Sequence, residues 1–244
     1  MSSERKLQRQ IDKLRLSPLL TPPRVPVLLS DSKGFNLKQQ VRVNPESFLH
    51  FWCESGATAG NRLQFLKNNL QHELQNLNLI TLYVWVGTCN FTRKEGHFIY
   101  LVSKDNSTVD NLITELKEIY HFTRQFENQV KLVFLHIPLF SIYEHNVYHN
   151  FQDKVEQFKD EDILLHAQIS AVNFYIKDTN RILHAYSPNF SEDLQRVKKK
   201  KRYKNAPPRY SYDFGHYKDG LHPDKTLAKL WLIRITRLIH NDCY

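Results

Sequence analysis

Residues 79–86, Leu-Ile-Thr-Leu-Tyr-Val-Trp-Val, are almost continuously apolar and rich in β-formers. That pattern suits a strand buried on both faces, which is the situation of a parallel sheet with helices packed on either side. The run stops at the small and polar Gly87-Thr88-Cys89-Asn90. Three other apolar stretches end in the same way. Val27-Leu28-Leu29 stops at Ser30-Asp31-Ser32-Lys33-Gly34, residues 48–53 run into Glu54-Ser55-Gly56-Ala57-Thr58, and residues 130–135 close at His136-Ile137-Pro138. Helical patterns lie between them. Leu63, Leu66, Leu70, Leu74 and Leu77 share one helical face. Ser107 with Asp110 reads as the cap of a helix carrying Val109, Leu112, Ile113, Leu116, Ile119 and Tyr120. Residues 151–176 read as helix, in one piece or two, and residues 225–239 as a final amphipathic helix. Residues 98–102 and 182–186 read as short strands. The alternation predicts an α/β fold, a three-layer α/β/α sandwich with a central parallel sheet. Ligands of such folds gather at the carboxyl ends of the strands.

At 244 residues the chain is long enough for a substantial core, and one domain is expected. Residues 1–24 read as a basic N-terminal arm and 25–244 as the domain. Leu7, Ile11, Leu14 and Leu16 make the arm mildly amphipathic, a short helix or a frayed end, and Pro22, Pro23 and Pro26 enforce extended backbone after it. The polar start, Met1-Ser2-Ser3-Glu4-Arg5-Lys6, is unlike a signal peptide, and no apolar run is long enough to span a bilayer. Cys53, Cys89 and Cys243 form no CxxC pair and read as buried reduced thiols. An intracellular location, cytoplasmic or nuclear, is the expectation.

The net charge of +9 favours an anionic partner or a polyanion-rich compartment. Much of it sits in a predicted insertion loop, 195–212, where seven of the nine residues from 196 to 204 are cationic. Lys198, Lys199, Lys200, Lys201, Arg202 and Lys204 cannot pack together and must be solvated or neutralised. The run fits a nuclear localisation signal or a nucleic-acid contact, with Tyr203, Tyr210 and Tyr212 placed to stack on bases. It fits equally a solvated insertion.

The motif of most chemical interest follows that loop. In Asp219-Gly220-Leu221-His222-Pro223 a carboxylate precedes a histidine by three residues, which puts a base and its orienting group on one tight turn. A serine at the exit of an apolar strand, in Ser30-Asp31-Ser32, can be the nucleophile such a base needs. In order along the chain, these segments resemble the blocks of the SGNH hydrolases, the GDSL esterase/lipase superfamily. The resemblance covers residues 25–240 at the level of block order and implies a flavodoxin-like α/β/α domain. Ser32 then stands where the family has its nucleophile, with its N–H helping to bind the oxyanion. Gly56, in Ser55-Gly56-Ala57-Thr58, stands where the family has a glycine N–H donor. Asp219 and His222 match the Asp-x-x-His pair. Two positions depart. Ser30 replaces the glycine of Gly-Asp-Ser, and Gly87-Thr88-Cys89-Asn90 replaces Gly-x-Asn-Asp. In direct register Cys89, a poor donor, takes the place of an oxyanion-binding asparagine amide, while Asn90 offers an amide one residue later if the turn is rearranged.

Two readings follow from the resemblance. In the first, the chain is a serine hydrolase acting on an ester or acetyl ester, without cofactor. In the second, the scaffold has weak or no activity and serves as a binding module for nucleic acid or protein through the basic loop. A nucleotide-binding flavodoxin-like protein ranks below both, because no Gly-rich phosphate loop is present. Of the other histidines, His136 reads as a pocket wall or core residue and His216 as a substrate contact or cover; His166 and His184 carry no assigned role. No metal centre is expected from the spacing of His and carboxylates.

Overall fold

The computed structural model describes residues 3–14, 20–151, 156–198 and 209–244. Four parallel strands form its centre: β1 (Val25–Ser30), β2 (His50–Cys53), β3 (Ile80–Trp85) and β6 (Val130–Phe134), in spatial order β2-β1-β3-β6. Every residue of β3 is buried, as its almost continuous apolar run requires. Ser30 pairs with both Cys53 and Trp85, so three strands end at one level. The order reverses between β1 and β3, which makes their carboxyl ends the switch-point crevice of an open α/β sheet.

Helices α3 (Ala59–Leu77), α5 (Ser107–Arg124) and α7 (Gln157–Ile182) pack side by side. A second group comprises α1 (Ser3–Leu14), α2 (Ser32–Lys38) and α8 (Lys225–Asp242). With the right hand that parallel crossovers take, this strand order puts the two groups on opposite faces of the sheet. The expected sandwich is therefore present. In α3 the predicted leucine face is the buried one: Leu63, Leu66, Leu70 and Leu74 are inside, and Thr58 caps the helix in a reciprocal pair with Asn61. In α8 ten residues are buried, among them Trp231, which meets Trp85, Phe190 and Tyr217 edge-on. Leu7 and Ile11 of α1 are buried in the same core, and α1 packs on α8.

Several local expectations are corrected. Residues 182–186 form no strand: Ile182 ends α7, and Ile182 and Tyr186 are exposed. The reason lies at the free edge of β6. The Asn180 side chain accepts from the Phe134 N–H and donates to the Phe134 carbonyl, where a fifth strand would pair. Asn173 does the same for Ile137 just beyond the strand. Side-chain amides thus close this edge. The strand read at 98–102 is β5 (Phe98–Leu101), but it pairs antiparallel with a short polar β4 (Thr92–Glu95) and stays outside the central sheet. The helix at 151–176 begins later and runs further, as α7, and is preceded by α6 (Ile142–Tyr148). Ser107 does not cap α5. It is the first helical residue, and its N–H is taken by Asp105 two residues earlier. The basic segment starts as β7 (Gln195–Lys198) and ends as β8 (Arg209–Tyr212), an antiparallel pair in place of a plain loop. Lys199, Lys200, Lys201, Arg202, Tyr203 and Lys204 lie outside the described residues. No helix among the described residues is long and apolar enough to cross a membrane.

Candidate active site

β1 delivers Ser32 to the switch point. Ser30 Oγ donates to the Trp85 carbonyl at 3.0 Å, tying the ends of β1 and β3 together. Asp31 then caps α2, accepting the Lys33 N–H at 3.0 Å, and Ser32 opens the helix half-buried. Gly34 is required one turn on, because a Cβ there would lie 2.3 Å from Cys53 Sγ.

The segment before α8 is built as a tight turn. Tyr217 and Pro223 form a bridge, and Asp219 Oδ1 accepts the N–H groups of Leu221 at 3.1 Å and His222 at 2.7 Å. Gly220 has φ +76°, and a Cβ on it would come within 2.4 Å of the His145 nitrogen. These constraints leave Asp219 Oδ2 free for the ring: it lies 2.7 Å from His222 Nδ1, while His222 Nε2 lies 3.0 Å from Ser32 Oγ. Burial acts to raise the Asp219 carboxyl, but the hydrogen bond and charge of His222 and the two backbone N–H groups outweigh it. The carboxyl is held well below the usual range. An ionised carboxylate only accepts, so Nδ1 carries the ring proton and Nε2 is left to accept from the serine hydroxyl. Two segments 190 residues apart meet in one relay.

The segments expected to bind an oxyanion are at the same end of the sheet. Gly56 sits on an exposed turn with φ +73° and open space around its Cα. Cys89 and Asn90 lie in α4 (Thr88–Phe91), which begins after Gly87 at φ +118°. The Asn90 amide is committed: Oδ1 accepts from Ala59 N–H at 2.9 Å and Nδ2 donates to Glu115 at 2.7 Å, fastening α3 to α5. Burial and the Asp31 charge push the Cys89 thiol up to about 11, against Lys33, so it is neutral. The Cys53 thiol is pushed up to about 12, chiefly by burial.

Sequence reasoning missed Lys33. Its side chain is buried, with Nζ 2.5 Å from both Asp31 Oδ2 and Thr88 Oγ1 and 5.3 Å from the centre of the Trp85 ring. It ties the turn after β1 to the turn after β3. Nothing in the local pattern marks it, because lysines are seldom buried unless paired, and its partners are known only from the fold. Missed too were His145 and His149, whose rings approach Asp219 from α6.

The other histidines are placed elsewhere. His136 lines a cavity with Ser170, Phe174, Lys177 and Tyr212, and its Nε2 is buried without a partner among the described residues. His216 Nδ1 lies 3.3 Å from Asp224 Oδ2, and this hydrogen bond raises its pKa against burial. His166 Nε2 contacts the Phe140 carbonyl at 2.9 Å, and His184 follows the end of α7 with φ 51°.

No protein-family model matches the sequence, and no curated protein matches it. Solved structures do match in fold. A GDSL-like lipase from Bacteroides thetaiotaomicron aligns with TM-score 0.56 and 13% identity over 98% of this chain and 97% of its own. A lipase/acylhydrolase from Enterococcus faecalis aligns with TM-score 0.52 and 13% identity over 91% and 97%. An acetyl xylan esterase aligns with TM-score 0.53 and 11% identity over 87% and 98%. The chain therefore has the α/β/α fold of the GDSL/SGNH acylhydrolases.

Proposed function

We propose that the chain is a serine hydrolase that cleaves ester or acetyl ester substrates with Ser32, His222 and Asp219. The observation that carries this reading is the relay of 3.0 Å and 2.7 Å contacts joining Ser32, His222 and Asp219. Names of the fold neighbours support the same class, since they include a lipase, an acylhydrolase and an acetyl xylan esterase.

In this mechanism Ser32 Oγ attacks the ester carbonyl as its proton passes to His222 Nε2. Asp219 steadies the imidazolium without taking the proton. The carbonyl oxygen becomes an oxyanion, held by the N–H groups of Ser32 and Gly56. The C–O bond to the alcohol then breaks, and His222 returns the proton to the departing oxygen. Water, deprotonated by His222, attacks the acyl-serine, and the second collapse releases the acid and restores Ser32. The Asn90 amide is engaged with Ala59 and Glu115, so the place of a third donor, from a side chain, is left to Cys89. Loss of one oxyanion donor typically costs about 2.7–4 kcal/mol of transition-state stabilisation. A slow hydrolase is the consequence. His222 and Ser32 remain partly accessible, which suits a small ester or one presented on a larger surface.

The test is labelling by a fluorophosphonate probe. Wild type is expected to label, and Ser32→Ala and His222→Ala to lose the label while keeping the wild-type circular dichroism. A folded wild type that does not label would remove the hydrolase reading. The scaffold would then be a binding module, with the basic hairpin as the surface to examine.

A further inference from the structure

The turn that carries Asp219 is packed on α6, and the contact orients a histidine. Ser141 N–H donates to the Gly220 carbonyl at 3.1 Å, and His145 Nδ1 lies 3.0 Å from the Asp219 carbonyl. A carbonyl only accepts, so Nδ1 carries the ring proton and Nε2 keeps a lone pair. His145 is 6% exposed, and beyond the Asp219 carbonyl only the His97 backbone offers its ring a hydrogen bond, with no close one at Nε2 among the described residues. Buried polar atoms of native proteins nearly always have a partner, and with no close hydrogen bond at Nε2 that atom can take a ligand. An imidazole fixed through one nitrogen by a backbone carbonyl is also the usual state of a metal-binding histidine.

Two further ligands converge. His149 sits four residues on, half-buried, with its ring 4.6 Å from that of His145 and stacked at 6.0 Å on His97 of the β4–β5 turn. One ligand atom each from His145, His149 and Asp219 lies within 4.8 Å of the others. Tetrahedral zinc with bonds of about 2.0–2.1 Å needs donors about 3.3 Å apart, so the ligand atoms must draw together when the cation binds. Asp219 also has capacity left. Its oxygens accept three hydrogens, from Leu221 N, His222 N and His222 Nδ1, against about four lone-pair sites on a carboxylate.

We propose that His145, His149 and Asp219 bind a divalent transition-metal cation of the zinc class, and that the bound cation restrains the adjacent Ser32–His222 pair. Two imidazoles and a carboxylate suit zinc. The cation draws on the Asp219 charge that steadies the His222 imidazolium, so its binding slows attack by Ser32. The restraint rests on the hydrolase reading given above, whereas the cation site does not.

The experiment uses the full chain, stripped of metal, titrated with Zn²⁺ alone by calorimetry and with Co²⁺ by visible absorption. One ion per chain is expected at this site, with the ligand-field bands of a tetrahedral histidine-containing complex. Loss of outer-shell support alone costs about 10–100-fold in metal affinity, and loss of the ligand in His149→Ala is expected to cost at least as much. His149→Gln, which keeps the bulk, guards against misfolding, and His72→Ala, on exposed α3 surface, is expected to bind as wild type. Binding that ignores both His149 substitutions, or no stoichiometric binding, overturns the site. Zn²⁺ is then expected to slow fluorophosphonate labelling of wild type and leave that of His149→Ala unchanged; equal labelling with and without bound Zn²⁺ overturns the restraint. Binding that depends on His149 in a protein that never labels upholds the cation site and removes the hydrolase reading alone.

Discussion

At Cys89 a single side chain decides how fast the proposed chemistry runs. Its thiol is neutral, held so by burial and the Asp31 charge, and a thiol is a weak donor. The neighbouring Asn90 amide is fixed between Ala59 and Glu115. Cys89→Asn restores the amide that the resemblance expects in register. Removing such a donor costs about 10²–10³ in kcat, and returning one to a site not shaped around it is expected to recover at least about tenfold of that. The gain should fall on kcat with KM nearly unchanged, because the donor acts on the developing oxyanion and not on the bound ester. Steady-state hydrolysis of a small aryl acetate checks it. An unchanged kcat in a folded Cys89→Asn protein would mean that this position does not face the reacting carbonyl. The residues at this scale were unequally legible. Asp219 and His222 are three apart on a turn the local sequence enforces, so their pairing was readable. Lys33 and His145 have partners, Thr88 and the Asp219 carbonyl, set only by the packing of distant segments.

At the level of elements, the sheet ends at β6 because asparagines stand in for a strand. Each Asn180 polar atom replaces one ladder hydrogen bond on Phe134, and Asn173 repeats the device at Ile137. Phe134 and Asn180 are both buried. Asn180→Ala therefore leaves one N–H and one C=O unsatisfied away from water, at about 1–3 kcal/mol each. We expect a loss of about 2 kcal/mol or more in urea unfolding, read as a lower midpoint with an unchanged slope. A loss below about 0.5 kcal/mol would mean that water satisfies the edge in solution and that the amides are incidental. The same device explains why 182–186 misleads. Ile182, Leu183 and Tyr186 have strand-like composition, but the edge they would join is already filled, so Ile182 ends the helix exposed, Leu183 caps it against the core and Tyr186 faces outward.

At the scale of the whole molecule, the central layers were legible because burial on both faces leaves a strong mark. All six residues of β3 and the leucine face of α3 follow directly from their patterns. Small elements outside the core left no such mark: β4 is polar and β7 is largely so, and each pairs with one partner strand outside the central sheet. The arm at the N-terminus was legible as amphipathic but not as docked, because docking depends on α8, more than 200 residues later. Leu7 and Ile11 are 1% and 5% exposed, and Lys6 Nζ donates to the Gln195 carbonyl at 3.1 Å, so α1 bridges α8 and the root of the basic hairpin. Burying two such side chains contributes about 1.5–3 kcal/mol each as an upper estimate. Deleting residues 1–19 is therefore expected to lower stability by a few kcal/mol and to expose apolar surface of α8. Among the described residues no hydrogen bond or ion pair joins Ser32, His222 or Asp219 to α1, so the labelling rate of the folded fraction should stay as in the full chain. Urea unfolding and fluorophosphonate labelling of the same truncated protein separate the possibilities. Equal stability would mean that α1 leaves α8 in solution and frees that face for another chain. Slower labelling at equal stability would mean that α1 acts instead through α8 on the turn at 216–224, whose His216 and Asp224 join the site to the start of that helix.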